Sequence, residues 1–226
     1  MYDPNNPTRS NTGVGAYDVP GRTTSLLDRV LGWLALSLVL TTAGVYGSFA
    51  FGLQIPWFLA FILMIGLIFG IQGAVRSGNT ALGAAMFGVF AVAEGMFIAP
   101  VLQIYLRVDP GAVGNAVLGT AAIFFVCASV VWVTNHSFAA WGKWLLGALL
   151  VGIVLILATA FLHLGIPQLL LDLFLGAVFV GLTLFDFWRV KAQRPGDDSA
   201  LLIALSLYLD FINLFLILLR IFGRRN

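Results

Sequence analysis

Seven long apolar runs follow one another along this chain, at roughly residues 29–52, 56–75, 80–106, 112–133, 141–163, 167–190 and 199–222. A helix rises 1.5 Å per residue, so about 20 such residues cross the roughly 30 Å hydrocarbon layer of a bilayer. The breaks between runs are short. Gln54-Ile55-Pro56, Arg76-Ser77-Gly78-Asn79, Arg107-Val108-Asp109-Pro110-Gly111, Thr134-Asn135-His136-Ser137, Leu164-Gly165-Ile166-Pro167 and Arg194-Pro195-Gly196-Asp197-Asp198-Ser199 each hold a helix breaker or a capping residue. They leave no room for a soluble domain. Strands of a membrane barrel would alternate polar and apolar residues over about ten positions, whereas these runs are continuous and about twice that long. The expected fold is an all-α bundle of seven transmembrane helices, over 26–226. It follows a tail at 1–25 that is rich in Pro, Asn, Thr, Ser and Gly and is expected to be flexible and not a signal peptide.

Composition agrees. The chain is 60% hydrophobic and only 10% charged, where soluble domains carry about 25% charged residues. The net charge of +2 is small and the basic residues sit at the ends of the runs, a pattern of membrane topology and not of nucleic-acid binding. With seven spans, Arg9, Arg22, Arg29, Arg76, Lys143, Arg189, Lys191 and Arg194 fall on the N-terminal side, and Arg107, Arg220, Arg224 and Arg225 on the other. The excess favours a cytoplasmic N-terminus. The single cysteine, Cys127, excludes a disulfide within the chain and a cysteine metal site; packing is its expected role.

Charge inside the spans is the functional signal. An ionised carboxylate within hydrocarbon costs roughly 2.5–3.5 kcal/mol on insertion scales, so such a group faces protein or a water-filled cavity and marks function by default. Asp186 lies in the sixth span and Asp210 in the seventh. Ser206, Asp210 and Asn213 recur at helical spacing as one polar stripe, and Thr183 shares a face with Asp186. With a turn at Pro195-Gly196-Asp197, the two aspartates stand about 9 and about 13 residues from it, a depth difference of roughly 6 Å that helix tilt can absorb. Two carboxylates that meet there cannot both ionise cheaply, titrate as a unit, and form a proton-sensitive switch or, ionised, an oxygen site for Ca²⁺. Asp186 can instead pair with Arg189 on its own helix. Arg76 ends the second span, where it can snorkel to the interface or reach toward the aspartates. Glu94, the only glutamate, is a second mid-span acid. Asp172 lies nearly four turns before Asp186 and is expected at the interface, and His136 and His163 are expected at surfaces or caps.

Three segments carry a family resemblance. ALSLYLDFINLFLILLRIFG (204–223) closely resembles the last helix of the Bax inhibitor-1 family, which includes the transmembrane Bax-inhibitor-motif proteins and the bacterial YccA-like proteins. GLTLFDFWRVK resembles the penultimate helix, and FAVAEGMFIAPVLQIYL the third, with Gly95 and Pro100 matching. The likeness covers about residues 25–224 and is closer to the bacterial members, which points to a bacterial plasma (inner) membrane. It implies a central last helix surrounded by six others, and a pH-sensitive calcium leak with Ca²⁺ as the transported ion and no cofactor. It also implies that Asp186 and Asp210 sense protons with help from Arg76, although a single Arg stands here where some bacterial relatives have a cluster. Glu94, Thr183, Ser206 and Asn213 are then the supporting polar groups.

Other function classes fare worse. Aspartyl intramembrane proteases carry Gly-x-Gly-Asp, whereas Leu207-Tyr208-Leu209 precede Asp210; there is no His-Glu-x-x-His and no Gly-x-Ser-x-Gly. The chain is read as a non-enzyme. A membrane interaction protein that modulates a membrane protease, and a proton-coupled cation antiporter, remain alternatives to the leak.

Overall fold

The structure, a computed structural model, describes residues 25–52, 56–134, 136–192 and 200–225. Apart from Ser25, the expected tail at 1–25 lies outside the described residues, as does the expected turn at 195–197. Among the described residues there are seven long helices and no strand: α1 (Leu26–Phe51), α2 (Trp57–Arg76), α3 (Thr80–Val108), α4 (Pro110–Val133), α5 (Trp141–Leu162), α6 (Gln168–Ala192) and α7 (Ala200–Phe222), followed by one 3₁₀ turn, Gly223–Arg225. All seven are long and apolar enough to cross a membrane.

The helix ends are written in local chemistry. Ser25 and Asp28 form a reciprocal capping box, each side chain accepting from the other's backbone N–H at 3.1 Å. Asn79 accepts from Leu82 N at 3.0 Å to start α3, and Asp109 accepts from Ala112 N at 3.2 Å to start α4, with Pro110 as the first helical residue. Between α2 and α3 the amides of Gly78 and Asn79 return to the carbonyls of Val75 and Ala74. This closure needs a left-handed residue, and Gly78 supplies it at φ 81°. His163 ends α5 with φ 52°, in the capping role expected of it.

The bundle is arranged around α7, which packs against α1, α2, α3, α4 and α6. In α7, 61% of the apolar window is buried inside the protein; in α5 the figure is 6%. Ile203, Ala204, Leu207, Tyr208 and Leu219 of α7 have no exposed surface. By contrast α5 packs on α6 at the periphery, with Gly152 its one buried residue. The outward faces are lined by large apolar side chains such as Phe51, Phe125, Val133 and Phe161, which suits a lipid surround.

Helices α1 and α3 touch backbone to backbone. A Cβ on Gly44 would run into the Val92 carbonyl oxygen, and one on Gly95 into the Thr41 carbonyl oxygen. Small residues permit such approach, and close packing replaces the hydrophobic drive that lipid cannot supply. Cys127 is buried with its thiol 3.9 Å from the Val180 carbonyl, the packing role expected.

Candidate functional site

Asp186 and Asp210 are both buried, each 4% exposed, and both line one cavity of about 760 Å³ between α5, α6 and α7. The α5 wall includes Lys143, Leu146, Leu149, Ile153 and Ile156, a stretch of roughly 20 Å at 1.5 Å per residue. Ser206, Asp210 and Asn213 line it from α7, so the polar stripe seen in the sequence faces this space. Lys143 and Arg189 stand toward one end and Arg220 toward the other.

Each aspartate meets a hydroxyl from the opposite helix. Asp210 lies 3.4 Å from Thr183 of α6, and Asp186 interacts with Ser206 of α7. These pairs reveal the register of the hairpin: 183 with 210 and 186 with 206 are both centred, in sequence, close to position 196. Asp186 and Asp210 are therefore offset by the four residues from 206 to 210, about 6 Å or one turn. They share a cavity and each other's electric field, but they are staggered and not face to face.

Charge compensation is local. Arg189 donates from Nη1 to Asp186 Oδ1 at 2.8 Å, three residues along the same helix, the alternative that the sequence left open. No charged partner appears for Asp210 among the described residues; its hydrogen-bonding neighbour is Thr183. That hydroxyl also donates to the Phe179 carbonyl at 2.8 Å. It has one hydrogen and a lone-pair-bearing oxygen. It can donate to an ionised Asp210, or turn its hydrogen to Phe179 and accept from a protonated one.

The other expected residues fall in different places. Arg76 lines a smaller cavity of about 230 Å³ with Gln72, Arg189 and Ser206. Arg189 and Ser206 also line the larger cavity, so they stand between Arg76 and the aspartates. Asn213 donates to the Leu209 carbonyl at 2.7 Å. Glu94 is half-buried and is not among the residues that line the larger cavity. The Tyr208 hydroxyl lies 2.6 Å from that of Thr41.

Asp172 stands in the first turns of α6, the position expected of an interfacial group, and its side chain has no exposure. Oδ1 accepts from Arg220 Nε at 2.9 Å and from Gln168 Nε2 at 3.2 Å, and Oδ2 accepts from Arg224 Nη2 at 3.0 Å. The sequence does hold a signal for this: 172 and 220 are each 24 positions from 196, so the hairpin register sets them opposite one another. Among the described residues no group of three or more His, Cys, Asp or Glu side chains is poised for a metal ion.

A seven-helix bundle arranged around its last helix, with one buried carboxylate on that helix and a second, staggered one on its neighbour α6, defines a polytopic integral membrane protein with a buried acid site. Residues 23–226 match the model of the family described as inhibitor of apoptosis-promoting Bax1. The chain belongs to this Bax inhibitor-1 family, as its three sequence segments suggested. It is 32% identical over 173 residues to a membrane protein of Streptococcus pyogenes serotype M3, covering 74% of each chain. It is 27% identical over 216 residues to the inner membrane protein YbhL of Escherichia coli K12, covering 88% of this chain and 91% of the relative. A Neisseria meningitidis serogroup A protein is 32% identical over 170 residues, 72% of each chain.

Proposed function

We propose that the protein is a pH-sensitive cation leak, with Ca²⁺ as the ion carried, gated by protonation of Asp186 and Asp210. The observation that carries this reading is the pair of buried carboxylates on one cavity wall, with Arg189 ion-paired to Asp186 and only a hydroxyl beside Asp210. Immediately around the two carboxylates, one guanidinium leaves one negative charge in a region of low dielectric, with Lys143 and Arg220 further off toward the two ends of the cavity. That charge attracts a cation or a proton and repels anions. The oxygens of Asp186, Asp210, Ser206 and Asn213, which line the cavity, are hard ligands of the kind Ca²⁺ takes, six to eight at a time. One carboxylate is already engaged by Arg189, so water completes the shell. An ion held in this way is bound weakly enough to leave, as conduction requires.

Protonation acts on the same groups. Neutralising Asp210 removes that local charge, and the Thr183 hydroxyl can serve either protonation state without moving its helix. Neutralising Asp186 loosens Arg189, which borders both cavities, and so couples the acid site to the end of α2 at Arg76. A ligand shifts an equilibrium by its differential affinity for the two states, and here the ligand is the proton. The excess of Lys and Arg on the N-terminal side supports a cytoplasmic N-terminus. The inner-membrane relative supports placement in a bacterial inner membrane.

The test is Ca²⁺ entry into dye-loaded liposomes across a pH series, with wild type, Asp186→Asn and Asp210→Asn side by side. Flux that varies with pH in the wild type and is flattened in both variants is expected. Absence of flux above empty liposomes at every pH refutes the leak, and moves the reading to a protein that acts through a membrane partner such as a protease.

A further inference from the structure

Arg220 lines the cavity that holds Asp186 and Asp210, and it is tied to Asp172. We propose that Asp172 and Arg220 form a closing plug at the far end of that cavity, with Arg224 as a second tie, so that the last turns of α7 are the gate of the conduit. The proposal rests on the leak reading for its physiological meaning.

The geometry is specific. Arg220 is ten residues beyond Asp210, roughly 15 Å along α7, so the plug is separate from the acid pair. Its side chain is 38% exposed while that of Asp172 has no exposure. The anchor is therefore inside and the guanidinium lies at the mouth. Asp172 holds Arg220 through Nε, which fixes the direction in which the rest of the guanidinium points. Gln168 and Arg224 occupy further lone pairs of the carboxylate. An arginine held at the mouth obstructs it physically and repels a cation arriving from either side. Asp172 itself does not line the cavity, so it is a positioning residue that acts through Arg220.

Each half of the plug belongs to a different helix of one hairpin. Asp172 is on the first turns of α6, and Arg220 is on the last turn of α7. The bridge therefore also fixes the two helices in register at this end, while the contact of Asp210 with Thr183 lies nearer the other. Opening requires the terminal turn of α7 to swing away from α6, with no slip at the acid pair.

The test reads access directly. Ile217, buried and cavity-lining one turn before Arg220, is changed to Cys in a Cys127→Ser background. The full chain is placed in nanodiscs, where both faces are reachable, and labelled with a charged, membrane-impermeant maleimide. With Asp172 and Arg220 intact, labelling is slow. Asp172→Asn and, separately, Arg220→Gln each raise the rate by roughly tenfold, the effect of one decade in an opening equilibrium. Arg220→Gln leaves Arg224 on Asp172, so it covers the case in which Asp172→Asn does not fold. Unchanged labelling in either folded variant, or labelling of the parent as fast as the variants, overturns the plug. Ca²⁺ flux is measured on the same variants in liposomes. Faster labelling with no flux in any protein sustains the plug and removes the leak. A pH-dependent flux with labelling and flux unaltered by both substitutions removes the plug and leaves the leak.

Discussion

Tyr208 donates its hydroxyl hydrogen to Thr41. The two oxygens are 2.6 Å apart and buried, and Thr41 has already committed its own hydrogen to the Ser37 carbonyl at 2.8 Å. The bond ties the central helix to α1, and Phe87 and Phe90 close over the Tyr208 ring edge-on at 5.7 and 5.9 Å. Its direction makes the two ends unequal. Tyr208→Phe leaves Thr41 satisfied through Ser37, and is expected to cost about 0.6 kcal/mol, the average for such bonds in membranes. Thr41→Val strands a buried phenol and is expected to cost about 1–3 kcal/mol. Reversible unfolding in mixed micelles, run as a double-mutant cycle, reads both values; equal costs would refute the assigned direction.

The α1–α3 contact predicts a contrast among glycines. Gly95→Ala drives a methyl into the Thr41 carbonyl and Gly44→Ala into that of Val92. Overpacking of this kind costs about 1–3 kcal/mol, more where backbone must yield. Gly147, on α5, has nothing within 4 Å of the place a methyl would take, so Gly147→Ala is expected to be neutral or stabilising by up to about 1 kcal/mol. Thermal melting of the three variants in one detergent tests the ordering.

Arg189→Gln removes the counter-ion of Asp186. Breaking a fully buried pair costs about 3–5 kcal/mol; Arg189 is 30% exposed, which lowers the expectation to roughly 2–3 kcal/mol. The penalty exists only while Asp186 is ionised. It is therefore expected to be larger at high than at low pH, because protonation removes the stranded charge. Asp186→Asn combined with Arg189→Gln recovers part of the loss at the higher pH. Melting curves at the two pH values check both the sign and the recovery.

Lys191 holds the end of α4. Its ammonium donates to the carbonyls of Val131 and Thr134 at 2.8 and 2.9 Å, with that of Trp132 at 3.5 Å. These are carbonyls that a helix C-terminus leaves without partners. Lys191→Met is expected to cost about 1–2 kcal/mol, below the middle of the range for charged donors because Lys191 is exposed. It should speed hydrogen exchange in the last turn of α4 without altering cation flux. Exchange measured by mass spectrometry, with the flux assay alongside, separates this capping role from one in conduction.

The spans and the acid site are legible in the sequence because both rest on local signals. Run length and punctuation place every helix to within a few residues, since a bilayer demands about 20 apolar residues whatever the tertiary arrangement. Asp186, Asp210, Ser206 and Asn213 stand out because each is polar where its neighbours are not. What resists is information held between helices. Arg189 is a candidate partner of Asp186 because the two are three residues apart, but nothing local separates that choice from an interfacial one. The burial of Asp172 depends on arginines 48 and 52 residues away, and the hairpin register that pairs them is visible only when all three pairs are centred on one point. Glu94 shows the opposite case. It reads as a lining group because it is charged in a span, but Glu94 is not among the residues that line the cavity.

The position of α7 has a consequence for how the protein is made. The helix around which the others pack is the last of the seven in chain order, so the six before it leave the ribosome without their core. Until it arrives, Thr41 has no phenol to accept from, Thr183 has no carboxylate beside it, and Asp172 sits in α6 without either arginine. Biogenesis therefore completes these polar pairs only in a late event, after contacts such as that between α1 and α3 can already form. The polar residues of α6 and α1 are the ones most exposed to mispairing during that interval.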